Sequence, residues 1–334
     1  MKTIIIAEAG VNHNGNLLTA KKMVKEAKKS GADYIKFQSF TSGSLTIKSV
    51  DQAPYQKINT KKKQSQYSML KKLELSREKH LKILHCCKKN KIGFLSTGFD
   101  VENIKFLVRK CKINIVKIPS GEITNIPYLK FIGKLKKKIL LSTGMSTFNE
   151  AKAAVETLIN SGTKKDNITV LHCTSSYPAP INELNLKAMV YMKKKLRVNI
   201  GYSDHSTQIE TGVVAVTLGA TVIEKHFTLN KKHQGPDHKA SLEPNELKKM
   251  IIMIRNTEKA LGKEKKFVTK SERINLIYAR KSIVASKKIN RGEIFTKNNI
   301  TCKRPATGIS PNKWYKILGK KASRNYKVDD LIKA

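Results

Sequence analysis

Short apolar segments alternate with longer amphipathic segments along the first 227 residues of the chain. Each apolar segment has the length of a strand and ends in polar or charged residues. Buried strands of a parallel sheet have this pattern, and the segments between them form the covering helices. We therefore predict eight strands, at 4–8, 34–38, 94–97, 115–120, 139–143, 170–174, 198–204 and 222–226.

Eight such units are the number that closes into a (β/α)₈ barrel, the TIM-barrel fold. The last covering helix is expected at 244–261, where Gly262 supplies a stop signal. A polar stretch at 39–66 predicts a long irregular segment, which in a compact fold usually serves a function. Catalytic groups of this fold lie at the carboxyl ends of the strands, where the polar clusters of this chain fall.

The pattern changes beyond Gly262. Short apolar segments at 282–286 and 300–303, separated by turn residues, predict a small β-rich domain. A domain of roughly fifty residues is marginal by itself, so we expect it to dock on another surface. The chain is therefore divided into a barrel domain at 1–262, a charged linker at 263–279 and a β-rich domain at 280–334.

The chain of 334 residues carries a formal net charge of +41. A basic surface attracts nucleic acid, and a basic nucleic-acid-binding module is the alternative from another functional class. The lysines are spread over most predicted helices without a zinc finger or an aromatic nucleic-acid motif, so we expect no specific nucleic-acid partner.

The apolar runs and the cysteines give an expectation about the cellular compartment of the protein. The longest apolar runs have strand length, short of the roughly 20 residues that a membrane helix needs, so no membrane partner is expected. The five cysteines are odd in number and lack zinc spacing. With the first strand predicted to begin three residues into the chain and no leader expected, these features favour a cytoplasmic protein.

Two lysines stand within predicted strands. Lys36 and Gln38 alternate with Phe37 in the second strand and therefore share a face, and Lys117 lies in the fourth strand. A buried ammonium group is costly unless its charge is paired, so the two lysines imply a bound anion or an acidic partner. A Schiff-base nucleophile is the open alternative. Glu8, at the end of the first strand, could bind substrate hydroxyls or exchange protons.

The last two strands each end near a histidine, His205 and His226. Two histidines at neighbouring strand ends are a common arrangement for a divalent metal with open positions. No third protein ligand is apparent, which favours an exchangeable Mn²⁺ or Mg²⁺ over structural zinc. Asp204 and Glu224 are expected to orient the imidazoles from behind. Two hydrogen-bonded core histidines are the alternative interpretation.

Motifs along nearly the whole chain resemble those of the sialic acid synthases. They are AEAGVNHNG (7–15), KFQ (36–38), KIPSGEITNIPYL (117–129), LSTGM (141–145), LHCTSSYPAP (171–180), GYSDH (201–205), EKHFT (224–228) and GPDHKASLEP (235–244). RKSIVA (280–285) and KRPATGISP (303–311) resemble the antifreeze-like (SAF, β-clip) domain of the same family. The number and order of these motifs make the resemblance specific.

The resemblance implies that phosphoenolpyruvate condenses with an open-chain N-acetylated hexosamine, with C–O cleavage and release of phosphate. N-acetylmannosamine is the expected acceptor, giving N-acetylneuraminate. The alternative acceptor is 2,4-diacetamido-2,4,6-trideoxymannose, giving N,N′-diacetyllegionaminate. The resemblance also implies a metal at His205 and His226, and a domain-swapped homodimer in which Arg304 of one subunit reaches the barrel mouth of the other.

The resemblance assigns the remaining site residues. Phosphoenolpyruvate is expected to contact Lys36, Lys117, Ser120, Ser142 and Ser203. The amino sugar is expected to contact Glu8, Gln38, Asn59, Tyr177 and Asp237. Glu122 is expected to transfer protons, and Lys117 and Glu8 are counted with it as catalytic groups. Ser175, which stands where some members have Asn, is kept as a substrate-binding position.

Two further interpretations stay open. A Schiff-base aldolase on the same barrel would use free pyruvate through Lys117 or Lys36. An inactive scaffold is argued against by the retention of the matched polar residues other than Ser175.

Overall fold

The computed structural model describes residues 2–333 and divides into two compact units, one up to Gly262 and one from Lys263 onward. The first unit contains a sheet of eight parallel strands in the order β3-β2-β1-β8-β7-β6-β5-β4, with β3 and β4 side by side at the seam of a nearly closed barrel. The strands are β1 Ile4–Gly10, β2 Tyr34–Ser39, β3 Gly93–Gly98, β4 Ile115–Ile118, β5 Lys138–Ser142, β6 Ile168–Cys173, β7 Asn199–Asp204 and β8 Val222–His226. The predicted (β/α)₈ barrel is confirmed.

Helices lie between successive strands and after the last one. They are α1 Leu17–Ser30, α2 Ser42–Leu45, α3 Pro54–Thr60, α4 Gln66–Leu73, α5 Arg77–Lys89, α6 Val101–Arg109, α7 Ile126–Lys134, α8 Phe148–Asn160, α9 Lys187–Leu196, α10 Glu210–Thr217 and α11 Pro244–Leu261. α11 has the predicted bounds because Pro244 occupies its first turn, Glu243 and Glu246 form a capping box, and Gly262 follows at a φ of 59°. No helix within residues 2–333 is both long and apolar enough to cross a membrane.

The stretch at 39–66 is more ordered than the sequence suggested. It was expected to be irregular, and the structure places α2 and α3 within it. Both helices are short, at four and seven residues, so their apolar positions are too few to establish a helical period in the sequence.

Side chains that alternate along the strands fill the barrel interior in layers. Apolar residues form the lower layer, namely Ile6, Leu95, Leu140, Leu171 and Val222. Two positions further along the same strands the side chains are Glu8, Thr97, Ser142, Cys173 and Glu224, and all of them line a cavity. Because successive side chains of a strand point to opposite faces, a step of two residues moves from the apolar layer to a polar one.

Gly201 takes the place of a side chain in the lower layer on β7. A Cβ atom at this position would lie 2.5 Å from Leu171 Cδ2 and 2.6 Å from the carbonyl oxygen of Val222. Glycine at residue 201 therefore lets β6 and β8 approach β7 closely below the polar layer.

The second unit has its own small core. The strands β9 Ser282–Ala285 and β10 Ile300–Lys303 pair antiparallel, and a short helix, α13 (Trp314–Ile317), follows. Its buried residues include Ile283, Phe295 and Tyr326. The segment predicted to be a linker, 263–279, contains a ten-residue helix, α12 (Lys270–Ala279), which a capping box at Thr269 begins. The sequence analysis predicted a linker here and did not predict this helix.

Candidate active site

The polar layer of the barrel interior contains two lysines and two carboxylates. Lys36 Nζ lies 2.7 Å from Glu8 Oε2 and 3.5 Å from Glu224 Oε2. Lys117 Nζ lies 3.7 Å from Glu224 Oε1. All four side chains are buried. Of the two expected partners, a bound anion or an acidic group, the structure shows the acidic group, which the protein itself supplies.

Hydroxyl groups complete this layer. Lys36 Nζ donates a hydrogen bond to Thr97 Oγ1 at 2.9 Å, and Lys117 Nζ donates one to Ser142 Oγ at 2.7 Å. Ser203 Oγ donates to Glu224 Oε1 at 2.9 Å. The other oxygen of that carboxylate, Oε2, is ion-paired with Lys36 Nζ at 3.5 Å. The layer is therefore held by ion pairs and hydroxyl hydrogen bonds beside the cavity.

Burial and neighbouring charges shift the pKa values of these groups in different directions. Burial, together with the nearby Glu224, raises the pKa of Glu8 to about 7 even though Lys36 opposes this. Burial lowers the pKa of Lys117, whereas the carboxylates of Glu224 and Glu8 overcome burial and raise the pKa of Lys36. Lys117 and Lys36 together overcome burial and lower the pKa of Glu224. Protonation of Glu8 near neutral pH therefore reduces the negative charge of the layer.

Two imidazoles lie above this layer. The ring centroids of His205 and His226 are 5.3 Å apart, and the ring of Tyr177 lies 4.2 Å from the first and 5.4 Å from the second. His205 Nδ1 is 2.7 Å from the carbonyl oxygen of Thr174, so Nδ1 carries a proton. Burial is outweighed by Cys173 and Thr174, which raise the pKa of His205 to about 8, so Nε2 has a free lone pair only after the ring loses its second proton. Burial lowers the pKa of His226 well below its usual value, which keeps that ring neutral.

The histidine pair fits a divalent metal ion. His226 Nδ1 is buried without a hydrogen-bond partner within residues 2–333, and an unpaired ring nitrogen is what a metal ligand requires. In the described part of the chain no group of three His, Cys, Asp or Glu side chains is arranged to hold a metal. The protein would therefore supply two ligands, and the remaining positions would be open to substrate or water.

The expected support of the histidines by Asp204 and Glu224 is wrong. Asp204 Oδ2 lies 2.7 Å from Lys225 Nζ, and both side chains are fully buried. Glu224 faces the two lysines of the polar layer. Along β7 and β8 the residues alternate in direction, so Asp204 and Lys225 point away from the interior that His226 and Glu224 share.

A cavity of about 380 Å³ opens above the polar layer. Of the fifteen site residues expected from the sequence, it brings twelve together. They are Glu8, Lys36, Gln38, Lys117, Ser120, Ser142, Ser175, Tyr177, Ser203, His205, His226 and Asp237. Glycine at residue 144 leaves room for the hydroxyl groups of Ser175 and Ser120, because a Cβ atom there would lie 2.1 Å from Ser175 Oγ and 2.9 Å from Ser120 Oγ.

The other three expected residues do not line the cavity. Asn59 is buried, and its Nδ2 donates to the carbonyl oxygens of Pro236 and Tyr177 at 2.7 and 3.2 Å. It therefore ties together the loops that carry Tyr177 and Pro236. Glu122 accepts a hydrogen bond of 2.6 Å from Asn125 Nδ2, outside the cavity lining.

Arg304 belongs to the second unit, where its Nε donates to the carbonyl oxygen of Ala279 at 3.0 Å. Its expected position in the barrel mouth of a second subunit stays a prediction.

Sequence reasoning missed several lining residues. Thr97 is the penultimate residue of β3, and Cys173 is the last residue of β6. The rule of alternation would have found both, since each is two positions beyond an apolar interior residue. It also missed the apolar lining residues from the segment after β2, such as Leu45 and Leu70. A long segment between elements gives no sequence signal for which side chains turn inward.

Known proteins resemble this chain over most of its length. N,N′-diacetyllegionaminic acid synthase of Campylobacter jejuni is 52% identical over 332 residues, 99% of each chain. The enzyme of that name from Legionella pneumophila is 42% identical, over 97% of this chain and 92% of its own length. The crystal structure of the N-acetylneuraminic acid (sialic acid) synthetase of Leptospira borgpetersenii, in complex with citrate, is 33% identical with a TM-score of 0.73, and the match covers 83% of this chain and 90% of that one.

Two family models also match the chain. The SAF domain model matches residues 280–334, the β-rich region of the second unit. The NeuB family model matches residues 23–266, which is most of the barrel. The chain therefore belongs to the NeuB family of sialic, legionaminic and pseudaminic acid synthases and carries a SAF domain after its barrel.

Proposed function

We propose that the protein condenses phosphoenolpyruvate with 2,4-diacetamido-2,4,6-trideoxymannose, giving N,N′-diacetyllegionaminate and phosphate. The observation that carries the proposal is one cavity in which two buried lysines and four serines adjoin a pair of histidines. The lysines and hydroxyls suit an anion that carries both phosphate and carboxylate groups. The histidines suit a metal ion that activates a carbonyl group.

The identity of the relatives favours this acceptor over N-acetylmannosamine, the first expectation from the sequence. Both synthases named for diacetyllegionaminic acid, at 52% and 42% identity, are more similar to this chain than the 33% identical sialic acid synthetase. N-acetylneuraminate synthesis is therefore the second candidate.

The anion is held by Lys36 and Lys117, with Ser120, Ser142 and Ser203 around them. Their ammonium and hydroxyl groups donate hydrogen bonds to phosphate and carboxylate oxygens, and their positions are fixed before the substrate binds. The proton held by Glu8 lowers the negative charge of the layer when the anion enters.

His205 and His226 would hold Mn²⁺ or Mg²⁺, and such an ion, when bound, supplies a Lewis acid for the aldehyde oxygen of the sugar. Carbon 3 of phosphoenolpyruvate attacks the aldehyde carbon, and water adds to carbon 2. The tetrahedral intermediate then expels phosphate by C–O cleavage. Glu8, which lines the cavity with a pKa of about 7, gives its proton to the developing alkoxide. It takes the role first assigned to Glu122.

Phosphate release tests the proposal. With each of the two sugars and phosphoenolpyruvate, we expect the higher kcat/KM for 2,4-diacetamido-2,4,6-trideoxymannose. Oxygen-18 in the bridging position of phosphoenolpyruvate should appear in the released phosphate. No phosphate release with either sugar in the presence of Mn²⁺ would contradict the proposal, and retention of the label in the sugar acid would contradict C–O cleavage.

The lowered pKa of Lys117, caused first by its burial, favours one competing activity. A lysine of this kind can act as a Schiff-base nucleophile towards free pyruvate. Borohydride with pyruvate would then attach a three-carbon adduct to Lys117, which mass spectrometry of the digested protein would detect. We expect no adduct, because Glu224 and Ser142 hold the ammonium form.

We also propose that the protein works as a domain-swapped homodimer in which Arg304 of the partner subunit contributes to the site. Arg304→Ala and Lys117→Met are each expected to be inactive. Mixed and refolded together, they would restore part of the activity, because one site in some dimers would then have both residues. Activity that stays absent in the mixture, with mixed dimers shown to form, would contradict the swap.

A further inference from the structure

One wall of the cavity is apolar. Val11, Met69 and Leu73 are buried in a cluster with Phe40, and half-buried apolar side chains pack against them. The members of this cluster that also line the cavity are Val11, Leu45, Met69, Leu70, Leu73 and Phe99. We call these six residues the apolar wall. None of them has a role in holding phosphoenolpyruvate or a metal.

The apolar wall belongs to a fixed part of the barrel. The backbone N–H of Ser42, at the start of α2, donates to Glu74 Oε1 at 2.6 Å just after the end of α4. The rings of Phe40 and Phe99 meet edge to face with centroids 6.0 Å apart. The start of α2 is therefore tied to the residue that follows α4, and the segment before α2 packs on the residue that follows β3.

The chemistry of the wall restricts what can lie against it. A hydroxyl group pressed on these side chains loses its hydrogen bonds to water and gains none, whereas a methyl group loses nothing. Gln66, at the start of α4, lines the same cavity and makes no side-chain hydrogen bond within residues 2–333. One amide beside a hydrocarbon surface matches an acetamido group, which has an amide and a methyl.

We propose that the apolar wall is the specificity element of the site and selects acceptor sugars that have methyl groups where other hexosamines have hydroxyls. The acetamido group at carbon 4 and the methyl group of a 6-deoxy sugar contact Leu45, Leu70 and their neighbours. The lysines and histidines of the cavity are committed to the anion and the aldehyde. This inference rests on the proposed condensation and adds the residues that choose the sugar.

Leu70→Asn tests the proposal, because Leu70 is half buried and the variant replaces hydrocarbon by an amide of similar volume. Phosphate release is measured with 2,4-diacetamido-2,4,6-trideoxymannose and with N-acetylmannosamine at saturating phosphoenolpyruvate. We expect the ratio of their kcat/KM values to fall at least tenfold, the usual value of a methyl contact in an apolar pocket. The KM for phosphoenolpyruvate should not change.

Leu81→Asn is the matched control. Leu81 is 42% exposed on α5 and does not line the cavity, so the variant makes the same change within a helix and should keep the ratio. Leu45→Asn places the same change on α2. If Leu70→Asn fails to fold, the ratio of kcat/KM values in Leu45→Asn tests the proposal instead.

The outcomes separate the inference from the function on which it rests. A ratio unchanged within twofold in a folded Leu70→Asn or Leu45→Asn variant would overturn the inference and leave the condensation standing. A wild-type preference for N-acetylmannosamine would overturn both the inference and the proposed acceptor, and would leave only the condensation with phosphoenolpyruvate standing. No turnover of either sugar by the wild type would overturn the inference and the condensation together.

Discussion

Two buried lysine networks lie on opposite sides of strand β8. Lys225 points away from the barrel interior and donates hydrogen bonds to Asp204 Oδ2 at 2.7 Å, to Ser206 O at 2.7 Å and to Gln208 O at 2.9 Å. Thr211 Oγ1 also donates to Asp204 Oδ2, at 2.6 Å. We call this the sealed network, because the two charged side chains are fully buried and each charged group has its partners.

The open network lies one residue earlier on the same strand. Glu224 points into the barrel and faces Lys36 and Lys117 at 3.5 and 3.7 Å, and Glu8 completes the group. The two ion pairs to Glu224 are longer than the 2.7 Å pair of Lys225 with Asp204, and all four residues line the cavity, where the two ammonium groups are open to a ligand. A fully paired buried network fixes structure, whereas one that lines a cavity is ready to bind a ligand.

Breaking the sealed network should have the largest effect on stability. Lys225→Met leaves the carboxylate of Asp204 buried without its ammonium partner, and we expect the free energy of unfolding to fall by about 3 to 5 kcal/mol. Urea unfolding followed by circular dichroism measures it. The folded fraction should still bind phosphoenolpyruvate, because Lys225 is absent from the cavity lining. Unchanged stability would mean that the sealed network is not a structural element.

Breaking the open network should instead remove activity. Lys117→Met takes away a donor to the anion, and we expect kcat for phosphate release to fall by about 100- to 1000-fold. Glu224 keeps Lys36 and Ser203 as partners, so the urea midpoint should move less than it does in Lys225→Met. If both variants lose stability equally and activity equally, the distinction between the two networks fails.

The pH dependence of stability offers a smaller test. The pKa of Glu8 is about 7 in the folded protein and 4.5 in the reference state, so the folded protein retains a proton that the unfolded chain has released. The free energy of unfolding should therefore decrease as the pH rises from about 5 to 8, by about 2 kcal/mol more in the wild type than in Glu8→Gln. Parallel pH profiles of the two proteins would show that Glu8 is ionised throughout.

Removing a single hydroxyl from the open network should have the smallest effect. Thr97→Val deletes the acceptor of a 2.9 Å hydrogen bond from Lys36 Nζ while keeping the shape of the side chain. We expect the affinity for phosphoenolpyruvate to fall by about 1 kcal/mol, roughly fivefold, as titration calorimetry would measure. Thr157→Val, at a half-buried position of α8 that does not line the cavity, is the control. Equal affinity in Thr97→Val and the control would remove Thr97 from the site.

The sequence predicts the barrel because its strands are continuous apolar runs whose polar ends fall at one rim. The same pattern places Lys36, Lys117, His205 and His226 together, since strand ends of a closed parallel sheet meet. It does not predict that Glu224 pairs with the lysines, because that contact depends on the register that sets β8 beside β1 and β1 beside β2. The alternation of side chains along β8, if applied to the sequence, would have predicted that Glu224 points into the barrel.

The apolar wall lies beyond sequence reasoning for a different reason. The direction of Leu45 and Leu70 depends on short helices that tertiary contacts hold, such as that of Ser42 with Glu74. The proposed role of Arg304 came from the family resemblance alone, because the apolar and polar pattern of a single chain contains no information on a second subunit.

A crystal structure with phosphoenolpyruvate bound would test the central claim most directly, which is that the open network is the anion site of the enzyme. The account predicts phosphate or carboxylate oxygens within about 3 Å of both Lys36 Nζ and Lys117 Nζ, with Ser142 and Ser203 as further donors. Phosphoenolpyruvate bound away from these two lysines, with the Lys36–Glu8 and Lys117–Glu224 pairs unchanged, would contradict it.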